Sequence, residues 1–198
     1  GTNALTAVKI TTLPGAGTLR DDGVNVTAGQ FVSLADINSG KLVFTPAANA
    51  NGAGYAAFTF QVEDDGGTVN SGVDLDTSAR TMTVDVTSVN DAPVGTNNTV
   101  TTLEDTAYTF TAADFGFTDP TDAGSVAGAN ALTAVKITTL PGAGTLQDNG
   151  VNVTAGQFVS MADINAGKFV FTPAADANGA GYASFTFQVQ DDGGTANG

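Results

Sequence analysis

In this 198-residue chain, 20 acidic side chains stand against 6 basic ones, a formal charge of −14. With no Lys/Arg stripe to neutralise phosphates, nucleic acid is excluded as a partner, and so is docking on an anionic membrane surface. Histidine and cysteine are both absent, which removes the commonest general base, the commonest zinc ligand, thiolate chemistry and any disulfide framework.

What is left favours hard cations, with a metal as the candidate staple, and a Gly- and Thr-rich composition suited to strands and turns. No run approaches the ~18 apolar residues of a membrane span, so direct membrane insertion is not expected. No signal peptide is visible, and the start at Gly1-Thr2-Asn3 reads as a piece excised from something longer.

The chain repeats itself. Asn3-Ala4-Leu5-Thr6-Ala7-Val8-Lys9-Ile10 returns as Asn130-Ala131-Leu132-Thr133-Ala134-Val135-Lys136-Ile137, an offset of 130 − 3 = 127. The offset holds without a gap from Gly1/Gly128 to Ser71/Gly198, with 60 of 71 pairs identical. A period this long suits a whole domain in tandem array rather than a solenoid unit. Two blocks follow, 1–91 and 92–198. Block one lacks a counterpart of 92–127, and block two lacks a counterpart of 72–91. Each is therefore expected to carry an incomplete sheet with an open edge, to be completed by a neighbouring chain or left to fray; the rival explanation is that the chain is one segment cut from a continuous polymer.

Taken in chain order, the first copy of the repeat runs to Ser71. Val73-Asp74-Leu75-Asp76 and a strand over 80–88 follow it. Then comes Val89-Asn90-Asp91-Ala92-Pro93-Val94, where Pro93 removes a backbone donor and pushes Ala92 into an extended conformation. The linker is thus a stiff tether carrying two oxygen-bearing side chains. Thr99–Thr102 reads as a short strand, and Ala107–Ala112 as a strand with Tyr108 and Phe110 inward. Phe115 and Phe117 are expected in the core, and Asp119–Gly124 in a polar loop. Leu132–Thr138 is a strand. Asp148-Asn149-Gly150 marks a tight hairpin. Ser160–Gly167 is one helical turn closed by glycine. Lys168–Thr172 is a strand ending at Pro173, and Tyr182–Gln190 has the cleanest alternation of any segment. About seven short strands per period, punctuated by turns, give an all-β fold of tandem sandwich modules.

Asn90-Asp91-Ala92-Pro93 resembles the linker that ends cadherin repeats. Glu104-Asp105, the Asp119–Asp122 motif followed by Asn130, Val189-Gln190-Asp191-Asp192-Gly193, and Ala162–Lys168 complete an ordered set. Together they resemble the cadherin-like, bacterial Ig-like extender repeats of giant RTX-type bacterial adhesins. The resemblance implies cadherin-like/Ig-like β-sandwich modules extended end to end, on a bacterial cell surface or secreted, and a Ca²⁺ cluster at the joint. Its ligands would be Asn90 and Asp91 from the linker, with Asp119, Asp122, Asn130 and Asp192 from block two. Glu104 would serve a following joint, and Asn3 with Asp65 a preceding module. Ser88 stands where cadherin linkers offer another acidic residue, which points to one or two ions rather than three.

Asp191-Asp192 and Asp64-Asp65 read equally well as turns or as ligands. Asp21-Asp22-Gly23 is a hairpin rather than a site. No nucleophile elbow or zinc motif is present, and catalysis is not expected. Three functions remain. The first is a calcium-rigidified extender that projects a distal binding region, its partners being neighbouring repeats of the same array. The second is a homophilic or polysaccharide-binding module, which the inward Phe and Tyr positions do not favour. The third is a fibre subunit formed by strand pairing with another copy.

Overall fold

The structure is a computed structural model that describes residues 3–125 and 127–194. The chain divides into two compact units, Gly1–Ser88 and Val89–Gly198. Each is an antiparallel β-sandwich.

Unit 1 contains β1 (Leu5–Thr12), β2 (Thr18–Asp21), β3 (Val24–Asn25), β4 (Phe31–Ser33), α1 (Leu34–Asn38), β5 (Leu42–Thr45), β6 (Gly52–Asp64) and β7 (Arg80–Val86). One sheet has the order β4-β1-β6-β7 and the other β3-β2-β5. Unit 2 contains β8 (Tyr108–Thr109), β9 (Leu132–Thr139), β10 (Thr145–Asp148), β11 (Val151–Asn152), β12 (Phe158–Ser160), α2 (Met161–Asn165), β13 (Phe169–Thr172) and β14 (Thr186–Asp191). Its sheets are β12-β9-β14 and β11-β10-β13-β8. The repeat is visible element by element. Unit 1 has no counterpart of β8, and unit 2 has none of β7 among the described residues.

Local chemistry explains the shared parts. Asp22-Gly23 and Asn149-Gly150 have φ of 49°, 79°, 51° and 78°, left-handed at both central positions. That is the hairpin turn whose twist matches its flanking strands. Ser160 Oγ accepts the Asp163 N–H at 3.1 Å and donates to the Asp163 carboxylate at 2.8 Å, capping α2. Gly167 follows α2 with φ 70°.

The two cores differ in what the described elements bring to them. In unit 2, Phe110, Phe115, Val135, Ile137, Val159, Ile164 and Phe169 form one buried cluster between the sheets. In unit 1, the positions equivalent to Val135, Ile164 and Phe169 (Val8, Ile37 and Leu42) are only half-buried. The 92–127 stretch that carries Phe110 and Phe115 has no counterpart there.

Three strand expectations are modified. Residues 99–102 form no strand, and only Tyr108–Thr109 of the 107–112 run is a strand. A 3₁₀ turn over Ala112–Phe115 follows it. The expected 182–190 strand begins only at Thr186, although the near-identical β6 is a strand from Gly52. The difference is the partner: β7 pairs with β6 from Gly52↔Val86 to Phe60↔Arg80, and no strand among the described residues does so for residues 179–185.

Candidate metal centre

At the entrance to unit 2 the linker is fastened to the module by side chains. Val94 and Thr118 exchange two backbone hydrogen bonds of 2.8 Å, so the residues before Val94 and after Thr118 emerge side by side. Asp119 lies immediately after this bridge, and Asp122 opens the 3₁₀ turn Asp122–Gly124. Both are buried, at 6% and 3% exposure. Asp119 Oδ2 accepts the Asn130 N–H at 2.8 Å. Asp122 Oδ2 accepts the Asp91 N–H at 2.9 Å and an Asn130 Nδ2–H at 3.3 Å. Asn90 donates through Nδ2 to the Gly194 carbonyl at 3.0 Å and to Asp191 Oδ1 at 3.4 Å, and its Oδ1 accepts from Asn130 Nδ2. Asp192 Oδ1 accepts the Ala131 N–H at 2.7 Å, where β9 begins.

Six of the residues singled out in the sequence thus meet at one pole of unit 2: Asn90, Asp91, Asp119, Asp122, Asn130 and Asp192. Two do not join them. Glu104 accepts from Asn178 Nδ2 at 2.6 Å and neighbours Asp105, which accepts the Asp176 N–H at 3.0 Å. The β9/β14 register runs from Leu132↔Asp191 to Thr139↔Thr186, which sets residues 176–178 beyond the other end of the sheet. Asp65 is in unit 1. It accepts the Ala4 N–H at 2.9 Å, the same role that Asp192 has in unit 2.

Two further residues belong to the pole. Asp191 accepts from Asn90 and, at 3.1 Å, from the Gly193 N–H through Oδ1, while its Oδ2 is buried without a hydrogen-bond partner among the described residues. Strand alternation separates it from Asp192, and that was the available signal: adjacent carboxylates at a strand end cannot point the same way. Gly193 is the second, since a Cβ there would run into the Asn90 and Asn130 side chains.

The pole can do one kind of chemistry. Its donors are carboxylate, amide and carbonyl oxygens, the ligand set of a hard cation such as Ca²⁺. Asp119 Oδ1, like Asp191 Oδ2, is buried without a partner among the described residues. The ion pairs found among those residues lie elsewhere, at Lys41, Arg80 and Lys168. No three acidic side chains among the described residues are arranged to hold a metal by themselves, so a cation here would also draw on amide and backbone oxygens.

The bacterial Ig domain family model matches residues 90–198, which is 109 of 198 residues. This chain belongs to the bacterial Ig domain family. The matched span opens at Asn90, so the linker asparagine and aspartate fall inside the bacterial Ig domain rather than before it. The contacts agree, because Val89–Asp91 cluster with unit 2. No curated protein and no solved structure matches the chain. No helix among the described residues is long and apolar enough to cross a membrane.

Proposed function

We propose that this bacterial Ig repeat is a structural extender of a bacterial cell-surface adhesin, stiffened by Ca²⁺ held where the linker enters the module. The observation that carries the reading is the pair of buried oxygens without partners among the described residues, Asp119 Oδ1 and Asp191 Oδ2, on residues bonded to Asn130 and Asn90 respectively. A buried anionic oxygen with no donor is costly, and a cation is the partner that relieves it. The ion would draw on Asp119 Oδ1 or Asp191 Oδ2 together with amide and backbone oxygens of the pole, since no three acidic side chains among the described residues are arranged to hold it by themselves. The ion would supply charge neutralisation and a fixed angle for the linker, with no catalytic step. The RTX-type adhesin context rests on the ordered resemblance of motifs, and the non-enzymatic role on the family's usual use as a structural module.

The test is calorimetric unfolding of the chain in EDTA and in a Ca²⁺ series, with Mg²⁺ as control. A site that binds only the folded state should stabilise unit 2 by about 2.7 kcal/mol at a hundredfold excess of Ca²⁺ over Kd. Isothermal titration should show the same Kd. An unchanged melting curve together with no heat of binding would overturn the reading.

A further inference from the structure

Most of the chain's aromatic rings pack on the two cores, but two stand outside them. Phe31 on β4 is 46% exposed and Phe158 on β12 is 51% exposed, and they occupy the same position of the repeat. Each lies directly opposite a lysine of the neighbouring strand, Phe31 against Lys9 and Phe158 against Lys136. In both pairs the ammonium is 5.5 Å from the ring centroid, within cation–π reach. Among the described residues neither lysine forms an ion pair, while Lys41, Arg80 and Lys168 all do. Hydroxyls cluster further along the same strands. Thr138 and Thr139 approach Thr186 Oγ1 at 2.6 and 2.7 Å, and Thr11 and Thr12 approach Thr59 Oγ1 at 2.6 and 2.8 Å.

No described element covers either ring. Phe31 is exposed with β7 in its sheet, and Phe158 is exposed with residues 92–125 in its unit. Each unit thus presents an aromatic surface, an ammonium with three donors and a group of hydroxyls on one sheet. Charge selects what can settle there. A chain of net charge −14 repels a polyanion and a second copy of itself, and one lysine per patch is too little to reverse that. An uncharged partner meets no such repulsion.

We propose that this patch in each unit is a binding site for a neutral, β-linked glucose polysaccharide. In a β-linked glucose unit the hydroxyls are equatorial, so the flat face of the sugar ring is made of C–H groups. Those hydrogens suit the negative face of the Phe158 ring. The hydroxyls at the sugar's rim accept from the Lys136 ammonium and exchange hydrogen bonds with the threonine hydroxyls. A β-linked chain is itself extended, which matches the surface of a sheet. The site uses none of the carboxylates at the linker pole, so binding does not depend on Ca²⁺.

The test is isothermal titration of the whole chain in EDTA with cellohexaose and with laminarihexaose, beside a polygalacturonate oligomer as the acidic control. The parent should take one equivalent of a neutral oligomer per unit. Phe158→Ala should halve the stoichiometry, and Phe31→Ala combined with Phe158→Ala should abolish binding. Phe158→Leu keeps an apolar side chain in the strand but removes the ring, and it should lose the unit 2 site as the alanine variant does. Lys136→Gln should weaken binding at unit 2 and leave unit 1 as in the parent. Far-UV circular dichroism should show every variant folded, because the substituted side chains lie outside the cores. The proposal is overturned if neither neutral oligomer gives a heat of binding, if the folded double variant binds as the parent does, or if the acidic oligomer binds in place of the neutral ones.

Discussion

Asp122, 3% exposed, accepts the backbone N–H of Asp91 through Oδ2 at 2.9 Å. A linker residue is thereby tied to a buried carboxylate 31 positions later. The same oxygen takes an Asn130 Nδ2–H at 3.3 Å, so one atom joins the linker, the 3₁₀ turn and the start of β9. Asp122→Ala strips two donors of their acceptor and should cost about 1–3 kcal/mol of unit 2 stability even in EDTA. Asp122→Asn keeps one acceptor oxygen and should cost less. Both variants should reduce the Ca²⁺-induced rise in melting temperature. Chemical denaturation followed by far-UV circular dichroism, in EDTA and in Ca²⁺, separates the two effects. A Ca²⁺ response in Asp122→Ala equal to that of the parent would remove this residue from the ligand set.

Much of this site was legible because its residues sit where chain geometry changes. Asn90 and Asp91 precede a proline, Asp119 and Asp122 flank a turn, and Asn130 and Asp192 bracket paired strands. Asp191 was harder to place because a turn former and a ligand have the same composition, and the burial of its Oδ2 shows only in the structure. Strand limits were less legible for a different reason. Residues 179–185 have the alternation of a strand and become one in the copy at 52–58, but only where β7 supplies the ladder. Residues 99–102 show the same lesson. Period-two patterning records which side faces the core, while hydrogen-bonded strand structure also needs a neighbour. The cap at Ser160, the turn at Asn149-Gly150 and the closing Gly167 needed no partner, and they fell where local chemistry put them.

Gly193→Ala should damage the pole without removing a ligand. The added Cβ would overlap the Asn90 and Asn130 side chains, which are already in contact with each other. One of the two amides must move, which disrupts the Asn130 Nδ2–H bond to Asn90 Oδ1. The expected result is weaker Ca²⁺ binding with a modest stability loss of about 1–2 kcal/mol. Titration calorimetry of Gly193→Ala beside Gly142→Ala checks it, because a Cβ at Gly142 meets nothing within 4 Å and its backbone is not left-handed. Equal Ca²⁺ affinity in parent and Gly193→Ala would show that the amide pair is not part of the site.

Asp148 gives unit 2 an unusual pH dependence. Its Oδ1 is buried without a hydrogen-bond partner among the described residues. Burial, followed by the nearby Asp163 charge, raises its pKa above the ordinary carboxylate value, with Lys168 opposing. A raised folded-state pKa means that the folded protein prefers the protonated form. Its stabilising contribution is therefore present below the unfolded pKa and lost as pH rises through the folded one. Asp163 runs the other way: hydrogen bonds from Lys168 and Ser160 lower its pKa, so its contribution is present at neutral pH and lost on acidification. Asp148→Asn should raise the melting temperature at pH 7 and bring no gain at pH values below the usual carboxylate range. Thermal scans across that range check this, and a variant gain that persists undiminished in acid would contradict the assignment.

The last prediction uses a substitution the repeat has already made. Phe169 is fully buried, with ring centroids 4.9 Å from Phe110 and 6.2 Å from Phe115. Its counterpart in unit 1 is Leu42, half-buried against a core that has neither of those rings. Phe169→Leu removes ring contacts on both sides and leaves a void that the stiff sandwich cannot fully close, so it should cost about 1–2 kcal/mol. Leu42→Phe should stay within about 0.5 kcal/mol, because the added atoms meet an open face rather than a filled one. Equilibrium unfolding of both variants, read by far-UV circular dichroism because the chain has no tryptophan, should show this asymmetry. If the two changes had equal and opposite effects, residue type alone would set the energy at this position. The expected asymmetry instead assigns it to the Phe110–Phe115 segment, the part of the period that unit 2 has and unit 1 lacks.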